Sequence, residues 1–132
     1  MTLELTILAW SLVLAVIQIM LPAMFRNRET GVAYNASARD EPGPPVGVVT
    51  GRLRRAQANL FETLPLFIAA VLIAHVAGRE GVLTALGASL FLATRVIYVP
   101  LYALGIPYVR SAVWLASMAG LALVMLAILL PF

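Results

Sequence analysis

Four runs of roughly 20 residues, almost without charge, divide this chain. The first, Leu5 to Phe25, holds Thr6, Trp10, Ser11 and Gln18 as its mildly polar members. A helix of that length rises about 1.5 Å per residue and crosses about 30 Å of hydrocarbon. A cleaved secretory signal would carry basic residues ahead of its apolar run. Here Glu4 precedes the run, and Arg26 and Arg28 follow it. The chain has 132 residues, of which 62% are apolar and 11% charged. So short a chain has no interior large enough to hide that much apolar surface from water. A free-standing soluble domain and a disordered chain are both excluded. An integral membrane protein of one compact unit remains.

The spans follow from the apolar pattern and its punctuation. The first helix is predicted over about residues 3–25. A polar, non-helical connection over 26–50 carries Gly31, Asn35, Ser37, Asp40 and the run Glu41-Pro42-Gly43-Pro44-Pro45. The second helix is predicted over 51–78, with Gly78 as a fitting stop. The third is predicted over 82–104, with Pro100 expected to kink it. Gly105-Ile106-Pro107 reads as a tight turn, and the fourth helix is predicted over 109–131. The two short connections force neighbouring helices to run antiparallel. The expected fold is an all-α, up-down-up-down bundle of four transmembrane helices, forming a single domain over 1–132.

Loop arginines set the expected orientation. Arg26, Arg28, Arg39, Arg52, Arg54 and Arg55 flank the long connection, and Arg110 lies on the same side. The opposite side has only Arg79. The positive-inside rule then places the long loop in the cytoplasm and both termini outside.

The absence of cysteine excludes disulfides, thiolate zinc sites and a protein thiol nucleophile. A single histidine, His75, cannot build a multi-histidine metal site, so no metal is expected. All nine basic residues are arginine. They do not form a soluble basic face, so the net charge of +3 points to no nucleic-acid partner.

Polar groups recur at helical spacing in the second and third spans. Arg55, Asn59 and Glu62 stand at offsets 0, +4 and +7, and Arg95, Tyr98 and Tyr102 at 0, +3 and +7. Each trio shares one face. Counted from the outer ends, Glu62 lies about 24 Å in and Arg95 about 20 Å in. Both charges fall in the cytoplasmic half of the membrane, where a charge facing lipid is costly. They are expected to face the bundle or a hydrated pocket, each offsetting the other. Arg55, Arg95 and Arg110 outnumber Glu62 in this layer, so an anionic ligand fits better than self-pairing. A buried pair that fixes helix register is the plainer reading. Tyr98 and Tyr102 can equally be an interfacial aromatic belt.

The stretch Arg55-Ala56-Gln57-Ala58-Asn59-Leu60-Phe61-Glu62, followed by Pro65, resembles the helix-2 signature R-A-x-x-N-x-x-E of the MAPEG family, membrane-associated proteins in eicosanoid and glutathione metabolism. Arg95 to Tyr102 resembles that family's helix-3 pattern R-x-x-Y-x-x-x-Y, and Arg110-Ser111 stands where the family has an arginine at the helix-4 entrance. Ala58 and Tyr98 stand where the prostaglandin-synthase branch has arginine and histidine. The resemblance is therefore to the leukotriene-synthase and microsomal glutathione transferase side, in a bacterial-type member. It implies a homotrimer with glutathione as cosubstrate between adjacent subunits. It makes Arg55, Asn59, Glu62, Arg95, Tyr98, Tyr102 and Ser111 glutathione contacts, and Arg110 the group that stabilises the thiolate.

The function so implied is a glutathione-dependent membrane transferase or peroxidase acting on lipophilic electrophiles that enter from the bilayer. The partners are then membrane lipid, a lipophilic small molecule and two further copies of the chain. A bacterial inner membrane is the expected location. The alternatives are a non-catalytic lipid- or partner-binding scaffold on the same fold, and a small four-helix exporter with Glu62 as its only candidate acid.

Overall fold

In the computed structural model, residues 1–130 are described; residues 131 and 132, and with them the expected last residue of the fourth span, lie outside the described residues. The described residues are helical apart from the connections, with no strand among them. Helix α1 covers Leu3–Thr30, α2 Val32–Ala36, α3 Val48–Val76, α4 Val82–Ala103 and α5 Pro107–Leu129. Helices α1, α3, α4 and α5 are each long and apolar enough to cross a membrane.

Helix α1 runs past the expected end near residue 25. Its 28 residues span about 42 Å, more than the hydrocarbon needs. The polar residues Arg26 to Thr30 continue the helix because nothing in them breaks it. Gly31, at φ 85°, ends it. The connection is also partly helical, since α2 occupies Val32–Ala36 and α3 opens at Val48. Only 37–47 is irregular, where the prolines cluster. This segment folds back onto α1. Arg26 Nη2 donates to the Pro44 carbonyl at 2.6 Å, and Glu29 accepts from the Gly47 amide at 3.0 Å and from the Thr50 hydroxyl. Helix α4 is continuous through Pro100, and Pro107 opens α5 rather than closing the turn.

Helices α3 and α4 are central. Each packs against the other and against both α1 and α5, while α1 and α5 do not meet among the described residues. Phe67 and Phe91 stack between α3 and α4 with ring centroids 4.0 Å apart. Helices α4 and α5 approach closely at Gly87 and Gly120. A Cβ on Gly87 would lie 2.5 Å from the Gly120 carbonyl oxygen. Small residues of this kind let helix backbones meet in lipid, where association rests on van der Waals fit. Outward faces carry apolar side chains such as Val16, Leu66, Leu86 and Leu115.

The end opposite the long connection is tied by polar side chains. The Thr2 hydroxyl donates to Glu80 at 2.7 Å, His75 Nδ1 lies 3.0 Å from the same carboxylate, and the Thr84 hydroxyl donates to Glu4 at 2.6 Å.

Candidate functional site

The site residues gather at the end of the bundle that carries the long connection. Arg95 lies on α4 and is 1% exposed. Its Nη2 donates to Asn59 Oδ1 on α3 at 2.9 Å. Its Nε and Nη1 are buried with no hydrogen-bond partner among the described residues. A guanidinium so placed keeps donor capacity that no neighbouring side chain among the described residues satisfies.

Aromatic rings carry the cationic layer from Arg95 toward α5. The Arg95 guanidinium lies 4.6 Å from the Tyr98 ring centre. Tyr98 meets Tyr102 edge to face at 5.5 Å. Arg110, at the start of α5, lies 4.5 Å from the Tyr102 ring centre, and Arg55 on α3 lies 5.9 Å from it. The negative ring faces hold like charges in one layer that would otherwise repel. An open cleft of about 480 Å³ adjoins it, walled by Asn59, Tyr98, Tyr102, Arg110 and Ser111. The Ser111 hydroxyl contacts the Pro107 carbonyl at 3.4 Å.

Glu62 departs from expectation. It is exposed, and the ion pairs among the described residues are Arg26–Glu29 and His75–Glu80, so Glu62 and Arg95 do not offset each other within the chain. The reason is helical phase. The buried stripe of α3 runs through Ala56, Leu60, Phe67 and Val71. At about 100° per residue, Asn59 falls at the edge of that stripe, and Glu62 and Arg55 fall nearly opposite it. The trio shares a face; Asn59 hydrogen-bonds to Arg95 on α4 and Arg55 reaches the Tyr102 ring there, while Glu62 forms no ion pair with Arg95.

Two cleft residues carry no polar pattern in the sequence. Trp114 and Leu115 complete the wall. Trp114 stands one turn after Arg110, and that i, i+4 spacing was the only available signal. A second cleft at the same end, about 360 Å³, is bordered by Arg26, Arg39 and Arg54. Arg26 and Arg39 there already donate to backbone carbonyls of the chain. No group of three or more metal-ligating side chains occurs among the described residues.

Among curated proteins, none matches this chain. The model of the MAPEG family, by contrast, matches residues 7–130, nearly the whole length. That family is one of membrane four-helix bundles whose members are glutathione-dependent transferases, peroxidases or related proteins. With four membrane-length helices and a match over nearly its whole length, the chain belongs to the MAPEG family.

Proposed function

We propose that the chain is a glutathione-dependent membrane transferase or peroxidase acting on lipophilic electrophiles. The observation that carries this reading is the cationic layer: three guanidinium groups around two tyrosines, with Arg95 Nε and Nη1 finding no acceptor among the described residues. Glutathione offers two carboxylates, an ammonium and a thiol. Arginines take carboxylates through paired charge-assisted hydrogen bonds. Arg55 and Arg95 would hold the carboxylates, Glu62 the ammonium, and Asn59, Tyr98, Tyr102 and Ser111 the peptide polar groups.

Arg110 would do the chemical work. A neutral thiol is a poor nucleophile, and a nearby cation lowers its pKa. Arg110 stands in the first turn of α5, where the helix end adds positive potential. The bound thiolate would form an S–C bond as the electrophile's leaving group departs or its adduct takes up a proton. With a hydroperoxide it would take the outer oxygen as the O–O bond breaks, release the alcohol, and leave a sulfenic acid that a second glutathione converts to disulfide and water. The chain keeps the thiol ionised and lets an apolar partner in from the bilayer. Glu62 on an exposed membrane face fits a homotrimer, in which a neighbouring copy would cover it. The long connection would face the cytoplasm of a bacterial inner membrane, with both termini outside.

Ligand-dependent heat stability of the purified protein tests this reading. Glutathione at about 100 times its dissociation constant stabilises by about 2.7 kcal/mol. A thermal midpoint that rises with glutathione, and not with an analogue lacking both carboxylates, is expected. No rise with glutathione would leave a lipid- or partner-binding scaffold instead.

A further inference from the structure

The C-terminus of α4 leaves its last carbonyls in need of donors. The Leu104 amide serves Pro100 at 3.0 Å, the Gly105 amide serves Tyr102 at 3.0 Å and the Ile106 amide serves Leu101 at 3.1 Å. That is the Schellman arrangement, and it needs the left-handed backbone of Gly105 at φ 72°. One carbonyl of the last turn, Ala103, is served from another helix. Arg52 Nη1 on α3 donates to it at 3.3 Å. The same guanidinium lies against Gly105. A Cβ there would sit 2.7 Å from Arg52 Cζ and Nη2. Gly105 is thus required twice, for its φ and for the space Arg52 fills.

Arg52 stands two turns before Asn59 on α3, and Ala103 directly follows Tyr102 on α4. The turn that Arg52 grips leads at once into Pro107 and Arg110. One wall of the cleft is therefore on α3 and the other is on the element Arg52 holds. A cation also suits a helix C-terminus electrostatically.

We infer that Arg52 is a positioning residue for the proposed glutathione chemistry: by clamping the α4–α5 turn to α3, it fixes the separation of Asn59 from Tyr102 and Arg110. The role in chemistry rests on the glutathione reading, whereas the clamp itself is a matter of distance. A misplacement of about 1 Å in such a site can cost about a hundredfold.

The chain has no cysteine, so labels can be placed cleanly. Ala58→Cys on α3 and Val109→Cys on α5 put spin labels at two exposed positions outside the proposed contacts. Distances would be measured in the full-length protein, diluted with unlabelled chain, with Arg52, Arg52→Ala or Arg52→Lys. Glutathione affinity and thiolate absorbance against pH would be read on the same three proteins without labels. Arg52→Ala is expected to broaden the distance distribution, weaken glutathione by about tenfold or more and move thiol ionisation to higher pH. Arg52→Lys keeps a donor for Ala103 and is expected to recover part of each. Unchanged distances in Arg52→Ala overturn the clamp. Unchanged distances with lost binding would make Arg52 a direct ligand contact instead, which overturns the positioning role. Changed distances with unaltered thiol ionisation overturn the link to chemistry. If the parent protein ignores glutathione, the functional reading fails, and the distance measurement still decides the clamp.

Discussion

Tyr102 holds two guanidinium groups near its ring, Arg110 at 4.5 Å and Arg55 at 5.9 Å. Only one of them opens a helix, and that one is assigned to the thiol. Arg110→Ala is expected to abolish the ultraviolet absorbance of bound glutathione thiolate while the protein stays folded; retained absorbance would remove Arg110 from this role. Arg95 is a different case. A buried guanidinium with two idle donor nitrogens costs stability, and an apolar residue of similar size often relieves such a cost. Arg95→Met should raise the thermal midpoint of the ligand-free protein and abolish glutathione binding. A lower midpoint with binding intact would contradict that assignment. Glu62 lies outward, so Glu62→Gln should leave the isolated bundle intact and weaken glutathione by about tenfold, about 1.4 kcal/mol, by titration. The polar residues of this layer were legible because arginine, asparagine and tyrosine are conspicuous in apolar spans. The division within the α3 trio was not legible, because it depends on where the buried stripe of α3 runs. Trp114 and Arg52 were hidden for a similar reason. Arg52 acts through a contact across helices with Ala103, 51 positions away, and Trp114 joins residues of α3 and α4 in the cleft wall.

Helix lengths show which signals carry information at the next scale. The apolar runs located all four spans, since nothing else in the chain could cross hydrocarbon. They located α4, Val82–Ala103, to within a residue and missed the end of α1. Helix α1 continues five residues past Phe25 to Thr30, because leaving the membrane changes the preferred composition and not the backbone conformation. The stop came from Gly31, and the short α2 follows it directly. Pro22, Pro65 and Pro100 all lie inside helices here. In a membrane protein, neighbouring helices and local adjustment make this tolerable. The close approach of α4 and α5 depends on two glycines with no surplus space. Gly120→Leu would drive its side chain into the Phe91 amide and the Gly87 carbonyl. Overpacking of this kind costs about 1–3 kcal/mol. A thermal midpoint several degrees lower is expected for Gly120→Leu, and an unchanged midpoint would mean the contact does not hold the pair together.

The whole molecule is polarised. Most arginines, the cationic cleft and the long connection occupy one end, and a carboxylate cluster beside Arg79 ties the other. There, hydrogen bonding from Thr2, then from His75, holds the Glu80 carboxyl below its ordinary value. A carboxyl depressed in the folded state adds stability above its unfolded value, and that stability is lost as pH falls through the folded value. The thermal midpoint should therefore fall on acidification from about pH 5 downward. Glu80→Gln should flatten that acid limb, and superimposable limbs would show that Glu80 contributes nothing to it. The opposite end carries the proposed function, and its test is direct. Glutathione titrated into the detergent-purified protein near neutral pH should produce a saturable thiolate absorbance, absent in Arg110→Ala. A flat absorbance across the titration, with glutathione bound or not, would contradict the account of a cationic cleft that ionises a thiol.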